Sequence, residues 1–352
     1  MRNAPWSGPG GNAAIKIGGL SVDTNKHMKN KANTLPLVAV VTPVYNGASY
    51  LAKAMQSVQS QTYPNIVHVI LDNASTDDTA DIIESFRGRQ ARVLACKNDE
   101  LLPLRENWNK AFSLVPEEAV YAKLLCADDL MHPDYIARCV KLAEADPQVE
   151  IVLSDDVYCN MVYRANLPSD RNVIPGIDVA RRILDRSVFW LPYQHFFVRI
   201  HDEDRGARFC GKFSLPDPYV VIRSALRGKF GYLHEPLVYT RTHAESQTSK
   251  MVRIKDASML VAHLRLVKEF GRLCWNKPDY KRVIDLNVGR LARFVLRWGI
   301  SGQGEAARLM SQQLASEGFQ FTWGDYVRYA IGWPAYAIRK QFYPNCDRAA
   351  CR

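Results

Sequence analysis

The chain has 352 residues, of which 47% are hydrophobic and 23% charged, with a formal net charge of +10. This composition is that of an ordinary globular protein, and it excludes the disordered and fibrous classes. The positive charge is concentrated at one end. Residues 250–352 hold 18 Lys and Arg against 8 Asp and Glu, whereas residues 1–249 are balanced. Such an excess suits an anionic partner, or it belongs to a solvated helical face. No nucleic-acid-binding motif accompanies it, so we expect no nucleic-acid partner.

The cysteines and the N-terminal segment indicate where the protein works. The eight cysteines are scattered without CxxC spacing, which favours a reduced, cytoplasmic compartment. Residues 1–35 are rich in Gly, Asn and Lys, which predicts a disordered tail and not a signal peptide. No apolar run approaches the roughly 18 residues that a membrane-spanning helix needs.

Strands and helices alternate from Leu35 onward. Short apolar runs rich in β-branched residues predict strands, and apolar residues three and four positions apart predict helices. The predicted strands cover 37–42, 66–71, 91–96, 120–126 and 149–154, and the predicted helices cover 48–61, 77–86, 105–114 and 134–145. Alternation with short connections is typical of an α/β fold, here a mostly parallel sheet with helices on both faces.

The second part of the chain changes character. Residues 219–228 predict a helix and 229–240 an extended segment. From about residue 252 the pattern is helical, over 252–271, 279–298, 303–316 and 323–341. We therefore predict an α/β domain over 36–250, with halves at 36–130 and 131–250, and a basic helical C-terminal region over 251–352.

Polar loops follow three of the predicted strands. They are Thr42-Pro43-Val44-Tyr45-Asn46, Asp72-Asn73-Ala74-Ser75 and Asp128-Asp129. Ligands of parallel α/β sheets bind at the carboxyl ends of the strands. We therefore expect these loops to converge on one cleft.

Asp128 and Asp129 are the strongest local indication of chemistry. Two adjacent carboxylates after a buried strand repel each other unless water or a cation lies between them. Mg²⁺ and Mn²⁺ take oxygen ligands and often share them with substrate phosphates, so the pair indicates a divalent metal site. The alternative is a polar turn before the helix that follows Pro133.

Four segments between residues 37 and 249 resemble glycosyltransferase family 2. They are VVTPVYNGASYLAKAMQSVQSQTYPN (40–65), LDNASTDDT (71–79), LLCADDLMHPDYI (124–136) and LRGKFGYLHEPLVYTRTHAESQTS (226–249). The resemblance implies the nucleotide-diphospho-sugar transferase (GT-A) fold and inverting sugar transfer. The half over 36–130 would then bind the nucleotide-sugar and the half over 131–250 the acceptor. The resemblance does not extend to the first 35 or the last 100 residues.

The resemblance implies a nucleoside site in the first two loops. Thr42, Pro43 and Tyr45 would hold the nucleoside, although Tyr45 is alternatively an aromatic lid on the sheet edge. Asp72 and Asn73 match an acidic pair that recognises base and ribose. Asn73 departs from the pattern, because an amide both donates and accepts whereas a carboxylate only accepts.

For the diphosphate, the resemblance implies a divalent ion (Mg²⁺ or Mn²⁺) held by Asp129 as the direct ligand, with Asp128 nearby and His243 completing the site. His243 is alternatively structural. Arg105 and Asn109 match a region that contacts donor phosphate or sugar, or they are ordinary helix-surface residues.

Asp217 matches the catalytic base, about ten positions before Leu226-Arg227-Gly228. The usual Glu-Asp pair is here Pro216-Asp217. Asp217 followed by Pro218 also suits the start of a helix, as an N-cap. Asp155-Asp156, after another predicted strand, is a weaker candidate for acceptor or donor contacts.

The acceptor would be a saccharide or a lipid-linked sugar. Trp190, Gln194 and His195 fall where an acceptor site is expected, although aromatic clusters are more often core. Residues 323–343 mix Trp and Tyr with Arg and Lys, which suits peripheral contact with the inner face of a membrane or packing on the catalytic domain. The alternative function is a non-catalytic nucleotide- or carbohydrate-binding module derived from such an enzyme.

Overall fold

The computed structural model describes residues 35–188, 191–205, 209–211, 216–243, 246, 258–322, 324–326 and 329. Its strands are β1 Leu37–Val44, β2 Ile66–Asp72, β3 Arg92–Lys97, β4 Ala119–Leu124, β5 Leu130–Met131, β6 Val149–Tyr158, β7 Met161–Tyr163, β8 Val173–Pro175, β9 Phe197–Arg199 and β10 Lys229–Thr240. Its helices are α1 Leu51–Gln59, α2 Thr79–Glu84, α3 Leu104–Ser113, α4 Tyr135–Ala145, α5 Gly176–Leu184, α6 Pro216–Ala225, α7 Ser258–Cys274, α8 Lys277–Ile300 and α9 Gly304–Ser316. Short 3₁₀ turns cover Tyr193–His195 and Asp202–Asp204.

The sheet of the described residues has the order β3-β2-β1-β4-β9-β6-β10-β5, with β7 paired to β6 and β8 to β10. Strands β1 to β4 pair in parallel, as do β6 and β10. Strand β9 runs antiparallel between β4 and β6. The predicted α/β class and mostly parallel sheet are confirmed.

Strand β1 shows why this sheet is covered on both faces. Its side chains alternate, as the two-residue period of a strand requires. Ala39 and Val41 pack in a core that includes α3, α5 and α6. Val38 and Val40 pack in a second core that includes α1 and α4. Full burial of a valine contributes roughly 1.5–3 kcal/mol, so a continuous apolar run is favourable only between two helical layers.

Several predicted boundaries differ from those of the structure, and two of the differences affect candidate site residues. The strand predicted at 149–154 continues to Tyr158, because β10 pairs with it in parallel along almost its whole length. The helix predicted at 219–228 spans Pro216–Ala225. Asp217 therefore lies inside the first turn and is not the N-cap.

The C-terminal helices pack against α5. Asn287 in α8 donates to the carbonyl of Leu184 over 3.2 Å. Arg181 in α5 donates to the carbonyl of Cys274, the last residue of α7, over 2.7 Å. The described residues from Pro36 onward form one compact unit. Among them, no helix combines the length and apolar character that crossing a membrane requires.

Candidate active site at the carboxyl edge of the sheet

The loops after β1 and β2 are bonded to each other. The backbone N–H of Asn46 donates to Oγ of Ser75 over 2.9 Å, and the N–H of Thr76 donates to Oδ1 of Asn46 over 2.9 Å. Ala74 adopts a left-handed backbone with φ of 57°, which costs a non-glycine residue roughly 1–2 kcal/mol. The Asp72 carboxylate supports this conformation by accepting the N–H of Ser75. The first two loops therefore form one wall of a cleft.

The side chains of Asp72 and Asn73 differ in whether a polar atom is left without a hydrogen bond. Oδ2 of Asp72 is buried without a hydrogen bond and lies 3.6 Å from the Nζ of Lys97. The Asn73 amide is occupied, because it donates to the carbonyl of Leu102 and accepts from the N–H of Leu102 and from Asn98. Asp72 can accept a hydrogen bond from a ligand, whereas Asn73 holds the 98–102 loop in place.

The remaining residues predicted for the nucleoside lie on β1 and just after it. The hydroxyl of Thr42 is fully buried and lies 2.9 Å from Nε2 of His68. Pro43 is buried in the strand, whereas Tyr45 is 48% exposed at the tip of the loop. Of these three side chains, only that of Tyr45 is exposed.

A cluster of possible metal ligands follows β4. Cys126, Asp128 and Asp129 each offer one ligand atom, and these atoms lie within 4.8 Å of one another. Burial raises the pKa of the Asp129 carboxyl well above its usual range, and the neighbouring Asp128 raises it further. A cation would relieve this repulsion, and carboxylate oxygens are the donors that Mg²⁺ and Mn²⁺ prefer. The residues present therefore fit a divalent ion.

The two carboxylates face different surroundings. The Asp128 side chain is 29% exposed, and its Oδ2 lies 2.9 Å from Nε2 of His243. The Asp129 side chain is 4% exposed. Its Oδ1 accepts the backbone N–H of Arg241 over 3.0 Å. Asp128 and His243 form the accessible side of the cluster, and Asp129 forms the buried side.

Arg241 joins this cluster to the loop after β1, and our sequence reasoning missed it. Its Nε donates to the carbonyl of Asp128, and its Nη2 donates to the carbonyl of Tyr50 over 3.1 Å. The Tyr50 ring stacks on His243 with centroids 4.3 Å apart. The only sequence signal for Arg241 was its position two residues before His243.

Asp217 lies in the first turn of α6, partly exposed. Burial raises the pKa of its carboxyl to about 6. Burial raises the pKa of the Cys126 thiol, and Asp129, Asp128 and, to the smallest extent, Asp217 raise it further. All three carboxylates therefore act electrostatically on the same thiol.

The residues predicted for the acceptor lie in different places. Trp190 is outside the described residues. His195 is fully buried, with Nε2 3.0 Å from Oγ1 of Thr240. Gln194 is partly buried and donates to the same hydroxyl over 3.1 Å. The imidazole of His195 is thus inside the protein and not on the cleft surface.

The weaker candidates are engaged elsewhere. Asp155 and Asp156 lie inside β6 and are fully buried, contrary to their predicted place in a loop after the strand. Oδ1 of Asn109 accepts the N–H of Cys210 over 2.7 Å. Arg105 lies in the first turn of α3 and forms an ion pair with Glu106 at 3.2 Å.

Part of the chain matches a known protein family. Residues 39–203 match the family model Glycosyl transferase family 2. The chain is 29% identical to the hyaluronan synthase of Pasteurella multocida over 255 residues, or 70% of this chain and 25% of that protein. It is 29% identical to the chondroitin synthase of Pasteurella multocida strain Pm70 over 108 residues, 30% of this chain and 11% of that protein. The chain thus matches a quarter or less of each of these relatives.

Solved structures agree with this comparison. S. aureus TarS 1–349 in complex with UDP-GlcNAc superposes with a TM-score of 0.61 at 15% identity, covering 83% of this chain and 81% of that one. The same protein in complex with UDP gives a TM-score of 0.57 at 14% identity, covering 84% and 81%. At this identity the likeness shows the fold alone. The likeness shows a GT-A-type fold, and the match over residues 39–203 shows that this fold carries a glycosyl transferase family 2 domain.

Proposed function

We propose that the chain is a glycosyltransferase that moves a sugar from a nucleotide-diphospho-sugar to an acceptor hydroxyl, with inversion at the anomeric carbon. The observation that carries the proposal is the cluster of Cys126, Asp128 and Asp129, whose possible ligand atoms lie within 4.8 Å of one another. This cluster adjoins the wall formed by the first two loops, because Arg241 bonds to both Asp128 and Tyr50. The wall would bind the donor and the cluster would bind a metal, with Asp217 as the base.

The first two loops would hold the nucleoside. Asp72 has a buried carboxylate oxygen without a hydrogen-bond partner, which suits a donor group of the base or ribose. Tyr45 is exposed at the loop tip and can pack against the base. Thr42 and Pro43 are buried in β1 just before this loop. TarS has been solved with UDP and UDP-GlcNAc, which supports a nucleotide-sugar as the donor.

A divalent ion, Mg²⁺ or Mn²⁺, would be held by Asp128 and His243 on the accessible side and by Asp129 on the buried side. When bound, such an ion neutralises charge that develops on the leaving diphosphate. Arg241 keeps the Asp128 backbone against the Tyr50 loop and so fixes the direction of the carboxylate. The resemblance implied Asp129 as the direct ligand; we propose Asp128 in that role instead, because its side chain is 29% exposed and that of Asp129 is 4% exposed.

Asp217 would act as the base. The acceptor hydroxyl oxygen forms a bond to the anomeric carbon, while the bond from that carbon to the diphosphate oxygen breaks and the nucleoside diphosphate leaves with the electron pair. Asp217 takes the hydroxyl proton as the oxygen attacks from the face opposite the leaving group. A pKa of about 6 leaves the carboxyl mainly ionised at neutral pH and still able to accept a proton.

Release of nucleoside diphosphate from a panel of nucleotide-sugars, with and without Mn²⁺, tests this function. We expect metal-dependent release by the native chain and its loss in D128N and D217N. Glu84→Gln serves as the control, because Glu84 is an exposed carboxylate on α2. Binding of a nucleotide-sugar without any turnover by the native chain would instead establish the non-catalytic module.

The C-terminal region would contact the surface of a membrane. Most of 323–343 lies outside the described residues, and its contact with the inner face of a membrane stays a prediction. Tyr326 and Tyr329 are described, and both pack beside Phe321 in the core of the C-terminal helices. Flotation with anionic vesicles, comparing the full chain with one ending at residue 322, tests the contact. Equal partitioning of the two would contradict it.

A further inference from the structure

A group of buried polar side chains lies directly behind the acidic loop after β4. We call it the buried polar cluster, and it consists of Lys123, His195, Thr240 and Asp156. Lys123, His195 and Asp156 are fully buried, and Thr240 is partly buried. They come from β4, the 3₁₀ turn before β9, the end of β10 and β6, respectively. Four separate parts of the chain therefore meet at this point.

The cluster is connected by short contacts. Nδ1 of His195 lies 3.4 Å from Nζ of Lys123, and its Nε2 lies 3.0 Å from Oγ1 of Thr240. The Thr240 hydroxyl is within 3.1 Å of both carboxylate oxygens of Asp156. Lys123 also donates to the carbonyl of Leu124, and its ammonium lies 5.3 Å from the centre of the Tyr135 ring.

The cluster reaches the acidic loop at two points. Nε2 of His195 lies 3.5 Å from Oδ2 of Asp129. The residue after Thr240 is Arg241, whose backbone N–H donates to the other oxygen of Asp129 over 3.0 Å. Both oxygens of Asp129 therefore face groups that the cluster holds in place.

Stability alone gives a weak reason for such an arrangement. Burying an ammonium and two carboxylates costs several kcal/mol per ion, and apolar residues of similar volume are often as stable. A polar group behind a metal ligand has a second use, because it fixes the orientation of that ligand. The cluster bonds to the loop that bears Asp128 and Asp129, which is where such fixing would matter.

We propose that Lys123, His195 and Thr240 are positioning residues that set the Asp129 carboxylate and, through it, the loop that presents Asp128 to a divalent cation. This inference rests on the cation site of the proposed function. His195 accordingly acts from behind the site and not on the acceptor. Lys123 contacts Nδ1 of His195, the ring nitrogen opposite the one that faces Asp129. Burial disfavours the charged form of Lys123, and the Asp129 and Asp156 carboxylates favour it.

Binding of Mn²⁺ alone to the full chain, followed through the paramagnetic resonance signal of free Mn²⁺, tests this role. Thr240→Val keeps the shape of the side chain and removes the hydroxyl between His195 and Asp156, whereas Thr240→Ser restores a hydroxyl. Lys123→Met removes the buried charge. Asn287→Ala is the matched control, because Asn287 is a buried hydrogen-bonding residue of α8 that donates to Leu184 and Val283. Thermal unfolding without metal establishes the temperature at which every variant is folded.

We expect T240V and K123M to bind Mn²⁺ about tenfold or more weakly than the native chain, as is common when a partner behind a metal ligand is lost. T240S and N287A should keep the native affinity even though N287A unfolds at a lower temperature. Native affinity in T240V, or an equal loss in N287A, would overturn the positioning role. A native chain that binds no Mn²⁺ would instead refute the cation site itself, so the two failures are distinguishable.

Discussion

The Nε2 atom of His243 lies 2.9 Å from Oδ2 of Asp128, although 115 residues separate the two along the chain. The imidazole is held in this position by the Tyr50 ring stacked on it. A carboxylate oxygen and an imidazole nitrogen, both possible metal ligands, thus lie together at the accessible edge of the acidic cluster.

Removing either of these possible metal ligands should weaken cation binding and turnover. We expect H243A and D128N each to lower the rate of donor cleavage on the order of 100-fold, the usual cost of losing one electrostatic contact at a reacting group. Mn²⁺ should also raise the unfolding temperature of the native chain more than that of either variant. E84Q should behave as the native chain in both measurements. Unchanged Mn²⁺ stabilisation in both variants would contradict the assignment.

Asp217 should control the pH dependence of turnover. The base must be ionised, and burial raises its pKa to about 6, so kcat/KM should fall as the pH drops through about 6. D217N should lose on the order of 100- to 10,000-fold in kcat, the usual contribution of a general base. A native profile that stays flat between pH 5 and pH 8, measured with saturating metal, would argue against Asp217 as the base.

The same carboxyl should also affect the stability of the fold. Its pKa is raised from 3.8 to about 6 on folding, so the folded state binds the proton more tightly than the unfolded chain. The free energy of unfolding therefore decreases as the pH rises through this window, where the unfolded chain has already lost the proton. D217N buries no carboxylate at this position, so its free energy of unfolding does not decrease in this way. It should therefore unfold at a higher urea concentration than the native chain at pH 7. The difference should disappear below pH 4, and a native chain that is the more stable at pH 7 would refute the argument.

Arg241 should be required for donor binding. Its guanidinium donates to the carbonyls of Asp128 and Tyr50 and lies over the Tyr50 ring, with 4.9 Å to the centroid. Hydrogen bonds from a charged donor contribute about 1.5–3 kcal/mol, so R241M should raise the KM for the donor about tenfold or more. R241K should restore little, because an ammonium lacks the planar fork that reaches both carbonyls. Full recovery of KM in R241K would show that charge alone is what matters.

Asn73 should be needed for folding more than for base selection. Its Nδ2 donates to the carbonyl of Leu102, and its Oδ1 accepts from the N–H of Leu102 and from Asn98. N73D keeps the acceptors and loses the donor, so it should lower the free energy of unfolding by about 1–3 kcal/mol. Urea unfolding measures this difference, with the exposed Asn65→Asp as the control for the same chemical change. An N73D chain as stable as N65D would contradict the structural role.

Most of the strands and helices up to β6 could be read from the sequence because they depend on local periodicity, whereas β7, β8, α5 and β9 were not predicted. Strand β1 begins with an apolar run over 37–41, and its two faces pack in two different cores. The loops after β1, β2 and β4 could be located for the same reason, since each follows the end of an apolar run. Their convergence follows from parallel pairing.

The sequence therefore determined the fold class, the strand-end loops and the acidic pair at 128 and 129. Only the tertiary structure decided which side chains are free to act. Asp155 and Asp156 lie inside a strand. The Asn73 amide is hydrogen-bonded to Leu102 and Asn98. His195 is buried between Lys123 and Thr240. The physical reason is distance along the chain. Arg241 binds Tyr50 across 191 residues, and no local pattern encodes a hydrogen bond between groups so far apart.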